Sequence, residues 1–115
     1  MGLMVLYARC AGLDVYKVTV VVCLLFTAAS GKVHCEVRTF ATITAGLLAL
    51  SDWLASQEVT HVAMESTGVF WRPIFNILEG SFQVILVNAQ HMKAIPGHKT
   101  DVKDSEWLAD WLRHG

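Results

Sequence analysis

The chain has 115 residues, a length typical of one domain, and its formal net charge is −1. Hydrophobic residues make up 54% of the sequence, which excludes an intrinsically disordered chain because there is enough apolar surface to form a core. Since the chain carries no excess of basic residues, its composition by itself does not indicate a nucleic-acid partner.

The most apolar stretch lies between Lys17 and Lys32 and has fourteen uncharged residues, fewer than the roughly 18–20 of a transmembrane helix. Its valines and threonines favour a pair of buried strands, so we expect no membrane span. The three cysteines include no Cys-x-x-Cys pair, which argues against a disulfide framework and a zinc knuckle. We expect reduced, mostly buried thiols in a cytoplasmic protein.

The first part of the chain predicts three strands joined by short turns. Residues 11–27 read as strand material, and residues 33–40 alternate between apolar and polar side chains. The dipeptide Ser30-Gly31 between them is a turn signal.

From residue 41 onward the apolar period becomes helical. A helix is predicted over 43–56, with Trp53 beside the apolar positions Ile43, Leu47, Leu48, Leu50 and Leu54. A buried strand over 59–64 follows. A second helix is predicted over about 69–79, with Pro73 in its first turn and Gly80 as its stop.

A further strand is predicted over 82–87, then a short helix and a loop within 88–100. A last helix begins near Thr100 or Asp101 and extends to about Arg113. The resulting order β-β-β-α-β-α-β-α predicts one domain of the α/β class, a mixed sheet flanked by helices.

Two acidic residues lie in apolar strand segments. Asp14 lies between Leu13 and Val15, and Glu65 comes at the end of the apolar strand Val62-Ala63-Met64. A carboxylate in such surroundings is costly unless it is paired or bound to metal. Each residue could instead lie at a strand end that faces solvent, and the two interpretations stay open at this point.

Asp101 and Asp104 share one face of the last helix, and that face continues to Leu108 and Trp111, with Leu112 close by. An apolar face of this kind packs on the sheet and directs both carboxylates toward it. Helix capping also explains why two acidic residues stand at the start of this helix, and a capping role does not exclude metal binding. The opposite face, expected to be solvated, carries Lys103, Glu106, Asp110 and Arg113.

Four carboxylates brought together repel one another, and a hard divalent cation removes that repulsion. Oxygen ligands select Mg²⁺ or Mn²⁺, and two such ions about 4 Å apart suit in-line phosphoryl transfer. Two bound ions would change the net charge from −1 to +3, so the loaded protein would attract phosphate.

Two segments resemble the DEDD-type transposases of the insertion sequence 110 family. They are residues 61–80, HVAMESTGVFWRPIFNILEG, and residues 84–115, VILVNAQHMKAIPGHKTDVKDSEWLADWLRHG. The opening Gly-Leu-Asp-Val around Asp14, followed by Lys17, is similar to the start of the same family. Met-Glu-Ser-Thr-Gly and Lys-Thr-Asp-x-x-Asp-Ser are specific motifs, and the resemblance covers the chain from about residue 11.

The resemblance implies a RuvC-like, ribonuclease H-like fold, in agreement with the predicted order of elements. It implies a catalytic and metal-binding tetrad of Asp14, Glu65, Asp101 and Asp104, which binds Mg²⁺ or Mn²⁺, two ions in all, and acts on the DNA backbone. It further implies DNA as the partner, a structured guide RNA for some members, and a homo-oligomer in the full-length form. Residues 1–10 match nothing in the family and stay unassigned.

Full-length family members carry a C-terminal domain that supplies a nucleophilic serine. Because this chain ends at Gly115, we expect residues 11–115 to be a truncated catalytic domain, incomplete alone, and whether it is an enzyme by itself stays open. Ser66 and Ser105 are expected to support local turns and not to replace the missing serine. The alternatives are a non-catalytic remnant that binds nucleic acid or protein, or has no function, and an ATPase of related fold, which the lack of glycine-rich loops disfavours.

Four basic residues are candidates for phosphate contacts or solvated side chains: Arg72, Lys93, Lys99 and Lys103. Trp71 could stack on a base, although an aromatic residue that opens a helix is more often part of the core. Tyr16 departs from the family, in which small residues are common at this place, and it bears on the mouth of the site.

Overall fold

The computed structural model describes residues 9–65 and 68–87 and, near the C-terminus, residues 106, 108, 109 and 112. Its elements, in chain order, are β1 (Arg9–Val15), β2 (Thr19–Thr27), β3 (Val33–Ala41), α1 (Thr44–Ser56), β4 (His61–Glu65), α2 (Trp71–Leu78) and β5 (Gln83–Val87). The described residues 106, 108, 109 and 112 are helical, as expected for the last helix.

The strands form one mixed sheet in the order β3-β2-β1-β4-β5. Strands β1, β2 and β3 pair antiparallel through tight turns, whereas β4 pairs parallel with β1 and β5 pairs parallel with β4. Each parallel step needs a crossover, which α1 and α2 provide. The predicted order of elements and the mixed sheet are therefore confirmed for the described residues.

The main core lies between one face of the sheet and the two helices. Alternate strand residues, among them Leu13 and Met64, are fully buried there against the apolar sides of α1 and α2. The buried residues of α1 are Leu47, Leu50, Trp53 and Leu54.

Two positions of the predicted apolar stripe of α1 are wrong. Ile43 and Leu48 are 68% and 51% exposed. Ile43 is the extended residue that precedes α1, so it does not follow the helical period. Leu48 comes directly after the fully packed Leu47, and a step of one residue turns the side chain about 100° away from the sheet.

The opposite face of the sheet carries a second cluster. Cys10, Cys23 and Ala63 of the sheet pack with residues of the last helix, of which Leu108, Ala109 and Leu112 are at most 1% exposed. The predicted packing of Leu108 and Leu112 on the sheet is thereby confirmed. Glu106, predicted on the solvated face, is partly buried, and its charge acts on Cys23.

The turn predictions hold where the structure describes them. Gly31, in the predicted Ser30-Gly31 turn, has a φ of 87°, and Gly68, between β4 and α2, has a φ of 72°; glycine adopts this region without the steric cost of a Cβ. Pro73 lies in the first turn of α2, and α2 ends at Leu78, just before Gly80.

No helix within the described part of the chain has the length and apolarity to cross a membrane. The short helix expected within 88–100, the start of the last helix and Trp111 lie outside the described residues.

Gly46, in the first turn of α1, lies against the end of β3. A Cβ at this position would overlap the backbone carbonyl of Ala41, whose carbon would be 2.9 Å away. We expect Gly46→Ala to lower the free energy of unfolding by about 1–3 kcal/mol, as for other overpacked sites. Urea denaturation of the variant and the parent chain measures this change.

Gly80→Ala is the matched control, because a Cβ at Gly80 meets no atom within 4 Å. Its free energy of unfolding should stay within about 0.5 kcal/mol of the parent value. Alanine favours a helix over glycine by about 1 kcal/mol, so a stabilised Gly46→Ala variant would show that the close approach of α1 to β3 is absent.

Candidate functional site

The two strand carboxylates lie side by side at one end of the sheet. Parallel pairing sets Gly12 opposite Ala63 and Leu13 opposite Met64, so the next step of the register brings Asp14 alongside Glu65. Alternate residues of a strand share a face, and both carboxylates therefore project on the face that carries Cys10 and Ala63. Sequence position alone left open whether each residue faced solvent; the sheet places them together.

Asp14 is buried, with 9% of its surface exposed, whereas Glu65 is partly buried. The hydroxyl of Tyr16 donates a hydrogen bond of 2.5 Å to Oδ2 of Asp14. Tyr16 begins the turn between β1 and β2, where its amide donates to the carbonyl of Thr19 at 2.8 Å. This turn lets the ring of Tyr16 stay 51% exposed while its hydroxyl reaches back to the carboxylate.

The surroundings of the two carboxylates on this face are apolar. Cys10 lies two residues before Gly12 on β1, and its Sγ is 3.5 Å from the carbonyl oxygen of Ala109. Cys23 of β2 pairs with Gly12 of β1. Burial is the main cause that raises the pKa of the Cys23 thiol well above its usual range, and the hydrogen bond with Cys35 raises this pKa further. A weakly ionised thiol contributes no competing anion on this face of the sheet.

The cysteine prediction is confirmed for two of the three residues. Cys10 and Cys23 are buried and Cys35 is exposed, and none of these three described residues forms a disulfide. At the other end of β4, burial lowers the pKa of His61, whose Nδ1 is 2.8 Å from the hydroxyl of Thr60. His61 therefore lies away from the carboxylate end of the sheet.

Arg72 is exposed in the first turn of α2, which follows β4 along the chain and so begins near its carboxyl end. Its guanidinium lies over the ring of Trp71, 5.5 Å from the centroid. Trp71 packs edge-on against Phe75, with its indole N–H donating to the carbonyl of Gly68 at 3.0 Å. Because Trp71 contacts the main core, the core interpretation of this residue is the better one.

Sequence reasoning did not single out Lys17 as a phosphate ligand. Lys17 is exposed in the same turn as Tyr16, three residues after Asp14. The β1–β2 turn places Lys17 at the same end of the sheet as Asp14, and a lysine next to a predicted strand carries no sequence signal for that. The remaining candidate residues lie outside the described part of the chain: Ser66, Lys93, Lys99, Asp101, Lys103, Asp104 and Ser105.

The donor set suits a hard cation as far as the structure describes it. Asp14 and Glu65 offer carboxylate oxygens, the ligands that Mg²⁺ and Mn²⁺ prefer. Within the described ranges, no three or more His, Cys, Asp or Glu side chains are grouped so that they could hold a metal ion. The described part thus supplies two carboxylates on neighbouring strands, oxygen donors of the type that such an ion prefers, and not a complete metal site.

Residues 11–115 match the sequence profile of a transposase family, the DEDD transposases of insertion sequence 110. The chain belongs to this family. The match confirms the resemblance carried by the motifs around Glu65 and Asp101. None of the curated proteins compared with the chain matches it.

Two solved structures resemble this transposase domain. The Fowlpox virus resolvase in complex with substrate Holliday junction DNA aligns with a TM-score of 0.54 and 11% identity, over 80% of this chain and 65% of that one. The Fowlpox virus Holliday junction resolvase in a second structure aligns with a TM-score of 0.55 and 11% identity, over 70% and 60%. The chain thus spans about two-thirds or less of these neighbours, and the likeness confirms the ribonuclease H-like (RuvC-like) fold.

Proposed function

We propose that this transposase domain performs divalent-metal-dependent chemistry on DNA strands through Asp14, Glu65, Asp101 and Asp104. The observation that carries the proposal is the adjacency of Asp14 and Glu65 at the carboxyl ends of two parallel strands, with Asp14 buried. A buried carboxylate beside a second one is costly, and a bound cation offsets that cost.

The remaining two carboxylates belong to the proposal through the last helix. Leu108 and Leu112 pack on the sheet face that carries Asp14. In a helix continued toward the N-terminus, Asp104 falls four residues and Asp101 seven residues before Leu108, on the same stripe. The helical period thus supports a tetrad in which the last helix supplies its pair from above the sheet.

Mg²⁺ or Mn²⁺, two ions in the complete site, would polarise the scissile phosphate and stabilise charge in the transition state. The protein's own part is to hold the ligands. Asp14 and Glu65 are fixed by the rigid ladder of the sheet, and Tyr16 orients the Asp14 carboxylate. Lys17 and Arg72 bind flanking phosphates at the same end of the sheet.

DNA is the proposed partner. Support comes from the transposase family and from the Fowlpox virus resolvase, whose structure contains Holliday junction DNA. We also propose, from the family alone, that recombination needs a second domain with a nucleophilic serine, a homo-oligomer and, in some members, a guide RNA. On this proposal residues 11–115 bind metal and DNA, and strand exchange needs the second domain as well.

Removing the Asp14 carboxylate tests the metal site. We expect Asp14→Asn to weaken Mn²⁺ binding at least about tenfold, because a ligand and its charge are lost. Isothermal titration calorimetry of the metal-free chain measures the affinity, and thermal unfolding verifies that the variant folds.

Asp52→Asn is the control for this experiment, since Asp52 is an exposed residue of α1 and its loss should leave Mn²⁺ affinity unchanged. The proposed site does not exist if the parent chain binds no Mn²⁺, or if Asp14→Asn binds it as tightly as the parent.

Tyr16→Phe removes only the hydroxyl that donates to Asp14. Hydrogen-bond partners of metal ligands are worth about 10–100-fold in metal affinity, so Mn²⁺ affinity should fall about tenfold. Electron paramagnetic resonance of free Mn²⁺ gives the affinity without relying on activity. Tyr7→Phe, which alters the other tyrosine of the chain, is the matched control, and equal affinities of the two variants would refute the orienting role of Tyr16.

Phosphate binding is tested with Lys17→Ala and Arg72→Ala. Each should weaken binding of a fluorescent four-way DNA junction and reduce the slope of log K against log salt by about one. Lys32→Ala is the control, because Lys32 lies in the β2–β3 turn at the opposite end of the sheet. Equal salt slopes for all three variants would show that DNA does not contact the carboxylate end.

A further inference from the structure

Strand β3 forms one edge of the sheet and is unusually open. Its nine residues are all exposed or partly exposed, and Val33 and Val37 are each 40% exposed. In the part of the chain that the structure describes, no strand pairs with its outer side. A long edge of this kind is a template for another strand.

The hydrogen bonds that flank the β2–β3 ladder show which backbone groups face outward. Ala28 donates to Lys32 at one end of the ladder, at 2.8 Å, and Thr42 donates to Val18 at the other, at 3.1 Å. Antiparallel pairs alternate between bonded and non-bonded types, so the even-numbered residues of β3 bond to β2. The outward N–H and C=O groups therefore belong to Val33, Cys35, Val37 and Thr39, with Ala41 at the end of the strand.

We propose that two copies of this chain associate by antiparallel pairing of β3 with β3, with the two-fold axis at Val37. In this register the outward-facing residues pair with one another, Val37 with Val37 and Cys35 with Thr39. Each Glu36 then lies opposite Arg38 of the second copy, and each His34 lies opposite Phe40.

Charge selects this register over its neighbours. A shift of the axis by one residue in either direction sets Glu36 opposite Glu36, or Arg38 opposite Arg38, and like charges directly opposite are destabilising. In the proposed register each Glu36 lies opposite Arg38 of the other copy, so the interface contains two pairs of opposite charges. One acid and one base lie on either side of Val37, at equal distances along the strand, so the edge is complementary to itself. A second copy of the chain is therefore the partner that fits this edge.

The paired charges suit the geometry of the ladder. Glu36 and Arg38 bond inward to β2, so their pairs across the interface are of the non-bonded type, with Cα atoms about 4.5 Å apart. Within one copy the same two side chains form an exposed ion pair of 2.7 Å along the strand. On association, the ion pair within each copy is replaced by pairs between Glu36 of one copy and Arg38 of the other. Neither charge is then left without a partner.

The consequence for the domain is a continuous sheet of ten strands. The axis of an antiparallel strand pair is perpendicular to the sheet, which keeps the same face of both copies on one side. Asp14 pairs with Val21 and Val21 pairs with Thr39, so each Asp14 lies two residues along the strand from the axis at Val37. Both Asp14 carboxylates then lie on the same side of the ten-stranded sheet. Any joint action of the two carboxylates on DNA rests on the proposed function, whereas the pairing of β3 does not.

Sedimentation velocity of the 115-residue chain tests the pairing, in a reducing buffer so that exposed Cys35 forms no cross-link. The parent chain should shift from monomer to dimer across roughly a thousandfold range of concentration. Glu36→Arg and Arg38→Glu should each raise the dimer dissociation constant at least about tenfold, because like charges then meet twice.

Mixing the two variants separates charge pairing from loss of fold. Arg38 also stacks over Trp53, 4.6 Å from its centroid, so Arg38→Glu could destabilise its own copy. The mixture restores opposite charges and should form a heterodimer, and the double variant that exchanges both residues should dimerise again. Failure of both rescues with folded variants, or a parent chain that stays monomeric at every concentration, overturns the proposal.

Hydrogen exchange gives a second readout that needs no substitution. The amides of Val33, Cys35, Val37 and Thr39 should exchange more slowly as the concentration of the chain rises, while those of Glu36 and Arg38 are already protected by β2. A dimer that leaves these four outward amides unchanged uses another surface and refutes the pairing. Neither result depends on metal or DNA binding, so it is independent of the proposed function.

Discussion

The parallel pairing of β1 with β4 is the constraint on which the rest of the domain depends. Its register sets Asp14 alongside Glu65 near the carboxyl ends of two strands whose central residues are buried. The sheet must be covered on both faces for this to hold, because an open apolar face beside a buried carboxylate would be unstable in water. Helices α1 and α2 cover one face, and the last helix contributes Leu108, Ala109 and Leu112 to the other.

The two faces have different tasks. The face beneath α1 and α2 contains large aliphatic side chains and supplies most of the buried apolar surface. The other face is built from small side chains such as Cys10, Gly12 and Ala63, which leave room for a helix and for the two carboxylates. The two carboxylates thus lie on the face opposite the main core, and Asp14 can be buried without interrupting that core.

The antiparallel half of the sheet extends this arrangement away from the site. The hairpin of β2 and β3 protects one side of β1, and its connection to β1 is the turn that carries Tyr16 and Lys17. A single turn thus supplies a hydrogen bond to Asp14 and carries the exposed Lys17, three residues after Asp14. The far edge, β3, carries its charges in a self-complementary order, which links the edge of the sheet to the assembly of two copies.

The sequence by itself determined the order of strands and helices, because hydrophobic periods of two and 3.6 residues and the glycines of turns are local signals. Its motifs also determined the family and named the four carboxylates. The helical period wrongly predicted that Ile43 and Leu48 belong to the buried stripe of α1, because burial depends on which side of the helix faces the sheet. Only the tertiary structure decided that Asp14 and Glu65 are neighbours and that Tyr16 binds Asp14, because strand register and turn geometry are set by contacts between residues far apart in sequence.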